Sequence, residues 1–99
     1  MKEAIEITTF KLVPKCTVMK FVAANKDINV WLAKQPGFRS RRIGALDDGS
    51  VVDVLLWDSA KQGKDAADRI VEETKSSIVH ALINQRTVVW QIAEVKHSI

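Results

Sequence analysis

The four residues Asp47-Asp48-Gly49-Ser50, at the middle of the chain, constrain the fold more than any other feature. They separate two runs that read as strands, "FRSRRIGAL" before and "VVDVLLWD" after. An Asp-Gly pair tolerates the positive φ that a tight β-turn demands, so runs joined this way pair as an antiparallel hairpin. What flanks the hairpin decides the rest. On its N-terminal side, "CTVMKFVAANKDINVWLAKQ" brings Val18, Phe21, Val22, Ile28 and Leu32 back at helical spacing, with Asn25 in one place on the apolar stripe. Thr17 or Lys15 would cap this helix, and Pro36-Gly37 would end it. Before it, "AIEITTFKLV" over residues 4–13 alternates Ile5 and Ile7 with Glu6 and Thr8, the pattern of a strand, which Pro14 closes. On the C-terminal side, Ser59 and Gln62 match a capping box and open a helix over 60–74. Ser76 or Ser77 starts a second, shorter helix in "KSSIVHALIN", and "TVVWQIAEV" over 87–95 reads as the last strand.

The order is β-α-β-β-α-β, the ferredoxin-like α+β arrangement: a four-stranded antiparallel sheet with the helices on one face, in one domain over residues 1–99. The other face has no cover within the chain. Three strands are nonetheless apolar at both parities: Ile5 and Ile7 against Phe10 and Leu12, Val52, Val54 and Leu56 against Val51, Leu55 and Trp57, and Val88, Trp90 and Ile92 against Val89. A sheet apolar on both sides needs both sides covered. A second copy about a two-fold axis does this with one surface, so a homodimer through the sheet face is expected.

Composition narrows the partners. The net charge of +3, from 15 basic and 12 acidic residues, is too mild and too interleaved for a nucleic-acid grip. No apolar run approaches the roughly 20 residues of a membrane span. Glu3 and Glu6 interrupt the stretch that an export signal would keep apolar, so none is expected. Cys16 is the single cysteine and fits a reducing cytoplasm; no Cys/His set has metal-ligand spacing. Scattered glycines offer no phosphate-cradling loop.

"LAKQPGF" followed by a strand, then "DDGS", then an apolar strand ending in "WDS" and a helix starting "AKQ", resembles the dimeric α/β-barrel superfamily, and within it the antibiotic-biosynthesis monooxygenase domain. The resemblance spans the whole chain. It implies a dimeric α/β barrel and a cofactor-independent monooxygenase acting on a small aromatic or polyketide-like compound. The alternative is a non-catalytic ligand-binding or structural dimer. In such oxygenases an apolar pocket between helices and sheet holds the substrate and polar groups stabilise its anion. Phe10, Trp31, Trp57, Trp90 and Gln91 are the expected ligand contacts, and His80, Arg42 and Thr8 the catalytic candidates, with Asp53 a further polar contributor. The resemblance also raises haem-degrading relatives, which carry an axial histidine near the position of His80. This chain lacks their other two marks: Ala66 and Ala67 stand in the zone of a helix-two tryptophan, and Thr8 or Thr9 stands for a strand-one asparagine. No cofactor is therefore expected. For the arginines, strict alternation along an edge strand would send Arg39 and Arg41 to one face and Arg42 to the other, together with Phe38 and Ser40.

Overall fold

The computed structural model describes residues 2–99. The elements are β1 (Ala4–Leu12), α1 (Val18–Ala23), α2 (Lys26–Ala33), β2 (Phe38–Ala45), β3 (Val51–Trp57), α3 (Ala60–Glu73), α4 (Val79–Leu82) and β4 (Ile83–Glu94). The sheet runs β2-β3-β1-β4, antiparallel at each pairing, which is the ferredoxin-like order. Among the described residues no helix is long and apolar enough to cross a membrane.

Local chemistry explains most boundaries. The Thr17 hydroxyl accepts the Lys20 N–H and caps α1; Ser59 does the same for Gln62 N–H at the start of α3. Gly37, at φ 82°, turns the chain out of α2, and its carbonyl accepts the Asp58 N–H across to the end of β3. Gly49, at φ 84°, completes the hairpin, with Leu46 N–H donating to the Ser50 carbonyl.

Three expectations need correction. The first helix is not continuous. It breaks between Ala23 and Lys26, where the fully buried Asn25 turns its side-chain amide onto the Phe21 carbonyl at 2.7 Å. An amide on an apolar stripe must find a partner when buried, and the nearby backbone supplies it. The last strand starts at Ile83 rather than Thr87. Its pairing with β1 jumps from Thr9–Val89 to Lys11–Asn84, so residues 85–88 leave the ladder as a bulge, held by the Lys11 N–H on the Thr87 hydroxyl at 2.8 Å.

Burial along β3 alternates without exception. Val51, Asp53, Leu55 and Trp57 are buried beneath the helices, while Val52, Val54 and Leu56 are only half covered. Register carries this division across the sheet: Ala4, Glu6, Thr8 and Phe10 lie opposite Trp57, Leu55, Asp53 and Val51. The core is built on that side, from Phe10, Phe21, Ile28, Leu32, Val51, Leu55, Trp57, Ala66 and Val79, with Phe10 edge-on to Phe21 at 5.3 Å between centroids. Ile5, Ile7, Val52, Val54, Leu56 and the exposed Val89 lie on the opposite, open face.

Strand β2 carries the correction that matters most for function. Phe38 pairs with Trp57, but Ser40 pairs with Leu56, so two residues of β2 advance against one of β3. This bulge inverts the alternation beyond it. Phe38 packs edge-on to Trp57 at 5.6 Å on the helix side, and Arg41 follows it there, opposite Leu55. Arg42 instead points to the open face, opposite Val54. Arg42 therefore does not share a face with Phe38; Arg41 does. Arg39 stays at the edge, paired with Glu3 and Asp58.

Candidate functional site

Between helices and sheet lies a cavity of about 490 Å³. Phe10, Phe21, Ile28, Leu32, Leu55 and Ile70 give its wall an apolar lining. Into this apolar space the sheet projects a band of polar side chains. Two rows explain it. One runs Arg41, Leu55, Glu6, Ile92 across β2, β3, β1 and β4; the next runs Ile43, Asp53, Thr8, Trp90. Arg41, Asp53, Glu6 and Thr8 thus cluster at the centre of the covered face.

Arg41, Asp53 and Glu6 are each held in place by named partners. The Arg41 guanidinium grips Asp53 with both ends of its fork, Nε to Oδ1 at 3.0 Å and Nη2 to Oδ2 at 2.7 Å. Its third nitrogen, Nη1, donates to Asn29 Oδ1 on α2 at 2.9 Å. Both side chains of the ion pair are only 11% exposed. Glu6 receives two indole N–H groups, Trp57 at 2.8 Å on Oε1 and Trp90 at 2.6 Å on Oε2. Burial, the largest influence, pushes the Glu6 carboxyl above the usual range; the two indole bonds pull it partly back. The Asp53 charge pushes it up further and Arg41 acts in the opposite direction.

His80, on α4, completes the wall. Its Nε2 lies 2.9 Å from the Thr74 hydroxyl and 3.1 Å from the Thr74 carbonyl. That hydroxyl itself donates to the Ile70 carbonyl. Two acceptors at one ring nitrogen put the proton on Nε2.

Of the residues named from sequence, Thr8, His80, Phe10 and Trp90 meet around the cavity, as does Asp53. Trp90 is 42% exposed and stands at the open end with Gln85 and Val88 from the β4 bulge. The others do not join them. Trp57 is fully buried and works as a wedge: its indole donates to Glu6, its ring meets Phe38, and α3 comes so close that a Cβ on Gly63 would lie 2.9 Å from Trp57 Cδ1. Trp31 is outside, its indole donating to Glu73 at 3.1 Å and its face covered by Arg69 at 5.5 Å. Gln91 pairs with Ile7 on the open face, where Arg42 also lies. Sequence reasoning missed Glu6, Arg41 and Asn25 as cavity residues. For Glu6 a signal existed: it shares strand parity with Phe10. Among the described residues no group of three or more His, Cys, Asp or Glu is arranged to hold a metal ion.

No protein-family model matches the sequence, and no curated protein matches it. Solved structures do. SnoaB from Streptomyces nogalater, a cofactor-independent oxygenase, superposes with a TM-score of 0.75 at 16% identity, over 100% of this chain and 98% of its own. The monooxygenase ActVA-Orf6 of Streptomyces coelicolor, solved with nanaomycin D, gives 0.74 at 22% identity over 99% and 91%. A dimeric ferredoxin-like protein from an uncultured marine organism gives 0.70 at 11% identity over 100% and 92%. Over its whole length the chain has the ferredoxin-like fold shared by antibiotic-biosynthesis monooxygenases and dimeric ferredoxin-like proteins.

Proposed function

We propose that the protein is a cofactor-independent monooxygenase for a small aromatic or polyketide-like compound, acting in the cytoplasm as a homodimer joined through the open sheet face. The observation that carries this reading is the cavity itself: about 490 Å³, walled by apolar and aromatic side chains, with Glu6, Thr8 and His80 converging on it. A volume of that order suits a fused-ring ligand. The fold likeness to SnoaB and ActVA-Orf6 supports it. In this chemistry the protein positions the substrate, strips it of water and stabilises charge on it, while dioxygen is the second substrate. An activated methylene between aromatic rings and one dioxygen give a carbonyl and one water, which balances atoms and electrons.

A second reading, a non-catalytic ligand-binding dimer, is favoured by one observation. Among the described residues, every buried side-chain nitrogen or oxygen already has a hydrogen-bond partner. One experiment separates the two. A hydroxyanthrone is added to the air-equilibrated protein, with binding followed by calorimetry and oxygen by an electrode. The monooxygenase reading expects one dioxygen consumed per carbonyl formed, with label from ¹⁸O₂ in the product. Binding without oxygen uptake would leave the binding module standing alone, and no binding at all would refute both.

A further inference from the structure

We propose that Glu6 is the group that receives the ligand: it accepts the ligand's hydroxyl, so that the cavity selects neutral hydroxy-aromatic compounds and rejects their carboxylate analogues. This rests on the reading of the cavity as an aromatic-ligand site and names the residue that sets its selectivity.

The charges around the cavity lead to this assignment. Among the described residues, the charged side chains that line it are Arg41, Asp53, Glu6 and Asp68, with His80 beside them. Arg41 is the single cation of the arginine and lysine type among them, and it is committed. Its fork is closed on Asp53 and its remaining nitrogen is bonded to Asn29. An incoming anion would have to displace a bidentate carboxylate, a charge-assisted pair among the strong ones in proteins. Asp53 is spent on the same pair, and Asp68 is solvent-exposed on α3. Glu6 differs. It is 8% exposed, and both bonds to its carboxylate come from neutral indole N–H groups rather than from a cation. A carboxylate offers about four lone-pair positions, and the two indoles use two of them. The remainder belong to a rigidly held acceptor in an apolar cavity.

Such a group discriminates by sign. A second carboxylate brought near it meets like charge in a medium of low dielectric, whereas a neutral hydroxyl donates a charge-assisted hydrogen bond. The raised pKa of Glu6, caused chiefly by burial, makes it a stronger acceptor than an ordinary surface glutamate. The same contact would draw electron density onto the ligand oxygen, the activation that a cofactor-free reaction with dioxygen needs.

The test uses 2-naphthol and 2-naphthoate, equal in ring system and opposite in what they present, titrated by calorimetry at pH 7. The wild-type protein is expected to bind 2-naphthol at least tenfold more tightly. Glu6→Gln is expected to weaken 2-naphthol at least tenfold and to bring the two ligands within threefold of each other. Arg42→Ala, on the opposite sheet face, is expected to change neither. Because Glu6→Gln turns an amide N–H toward one of two indole donors, its fold is checked by circular dichroism. If that variant does not fold, Glu6→Asp takes its place: it keeps the charge but shortens the reach, and is expected to weaken 2-naphthol at least tenfold while still rejecting 2-naphthoate. Naphthoate binding as tightly as naphthol, or a folded Glu6→Gln that keeps the wild-type preference, overturns the role of Glu6 and leaves the aromatic site intact. Failure of both ligands to bind overturns the aromatic site as well.

Discussion

Removing the Arg41 side chain should separate three neighbouring arginines into one structural and two dispensable residues. In the Arg41→Ala protein, Asp53 loses both arms of its fork, at 3.0 and 2.7 Å, and stays beneath the helices. Breaking a buried pair from one side typically costs 3–5 kcal/mol, because the survivor is left charged and unpaired. With each side chain 11% exposed, some water reaches the site, and the lower end, about 3 kcal/mol, is the working figure. For a domain of this size, each kcal/mol moves the melting temperature by about 4–8 °C, so a fall of at least ~12 °C is expected. Arg42→Ala, on the open face, should cost less than about 0.5 kcal/mol. Arg39→Ala, whose ion pairs are half exposed, should cost less than about 1 kcal/mol. Thermal and urea unfolding of the three variants give these numbers directly. A double variant, Arg41→Met with Asp53→Leu, should recover to within about 1 kcal/mol of wild type, since an apolar pair leaves no charge stranded. If Arg41→Ala melts within a degree or two of Arg42→Ala, the Arg41–Asp53 pair does not anchor the fold.

Other perturbations follow from the same geometry. Burial raises the Glu6 pKa above its ordinary value of 4.5, so the folded state binds that proton more tightly than the unfolded chain does. The associated stability is complete below the ordinary value and is lost as pH rises through the folded value. The stability of wild type minus that of Glu6→Gln, from urea unfolding between pH 4 and 8, should therefore decline as pH rises; a rising difference contradicts the burial argument. Gly63→Ala should destabilise by about 1–3 kcal/mol through overpacking, because the new Cβ would lie 2.6 Å from Ile92 Cδ1 and 2.9 Å from Trp57 Cδ1. An unchanged urea midpoint would mean that α3 can shift at no cost. Light scattering at micromolar concentration should give about twice the chain mass of 11.1 kDa. Ile7→Lys or Val54→Lys, at facing positions on the open sheet side, should yield a folded monomer; a wild-type monomer would refute face-to-face assembly.

What could be read from the sequence alone was whatever is encoded locally. The Asp-Gly turn, the Pro36-Gly37 stop and the serine cap at Ser59 act on their immediate neighbours, so element order and the ferredoxin-like fold followed from them. The core positions of Phe21, Ile28 and Leu32 also followed, because helical spacing is itself a local property. The candidate site was legible only in part, and the reason differs by residue. Thr8, Phe10, His80 and Trp90 lie where strand and helix order alone would bring them, around the space beneath the helices. Arg41 and Arg42 exchanged faces because one extra residue between Phe38 and Ser40 inverts a period-two pattern, and nothing in "FRSRR" marks where a ladder will slip. Asn25 broke a helix because its amide took the nearest carbonyl once burial removed water. Glu6 reads from its neighbours as the polar alternate of a half-exposed strand. Only the tertiary structure brings it the indole donors of Trp57 and Trp90, 51 and 84 residues away, that allow a carboxylate to remain under the helices. Period and turn chemistry depend on adjacent residues, whereas the pairing of a buried charge depends on groups that only the folded sheet assembles.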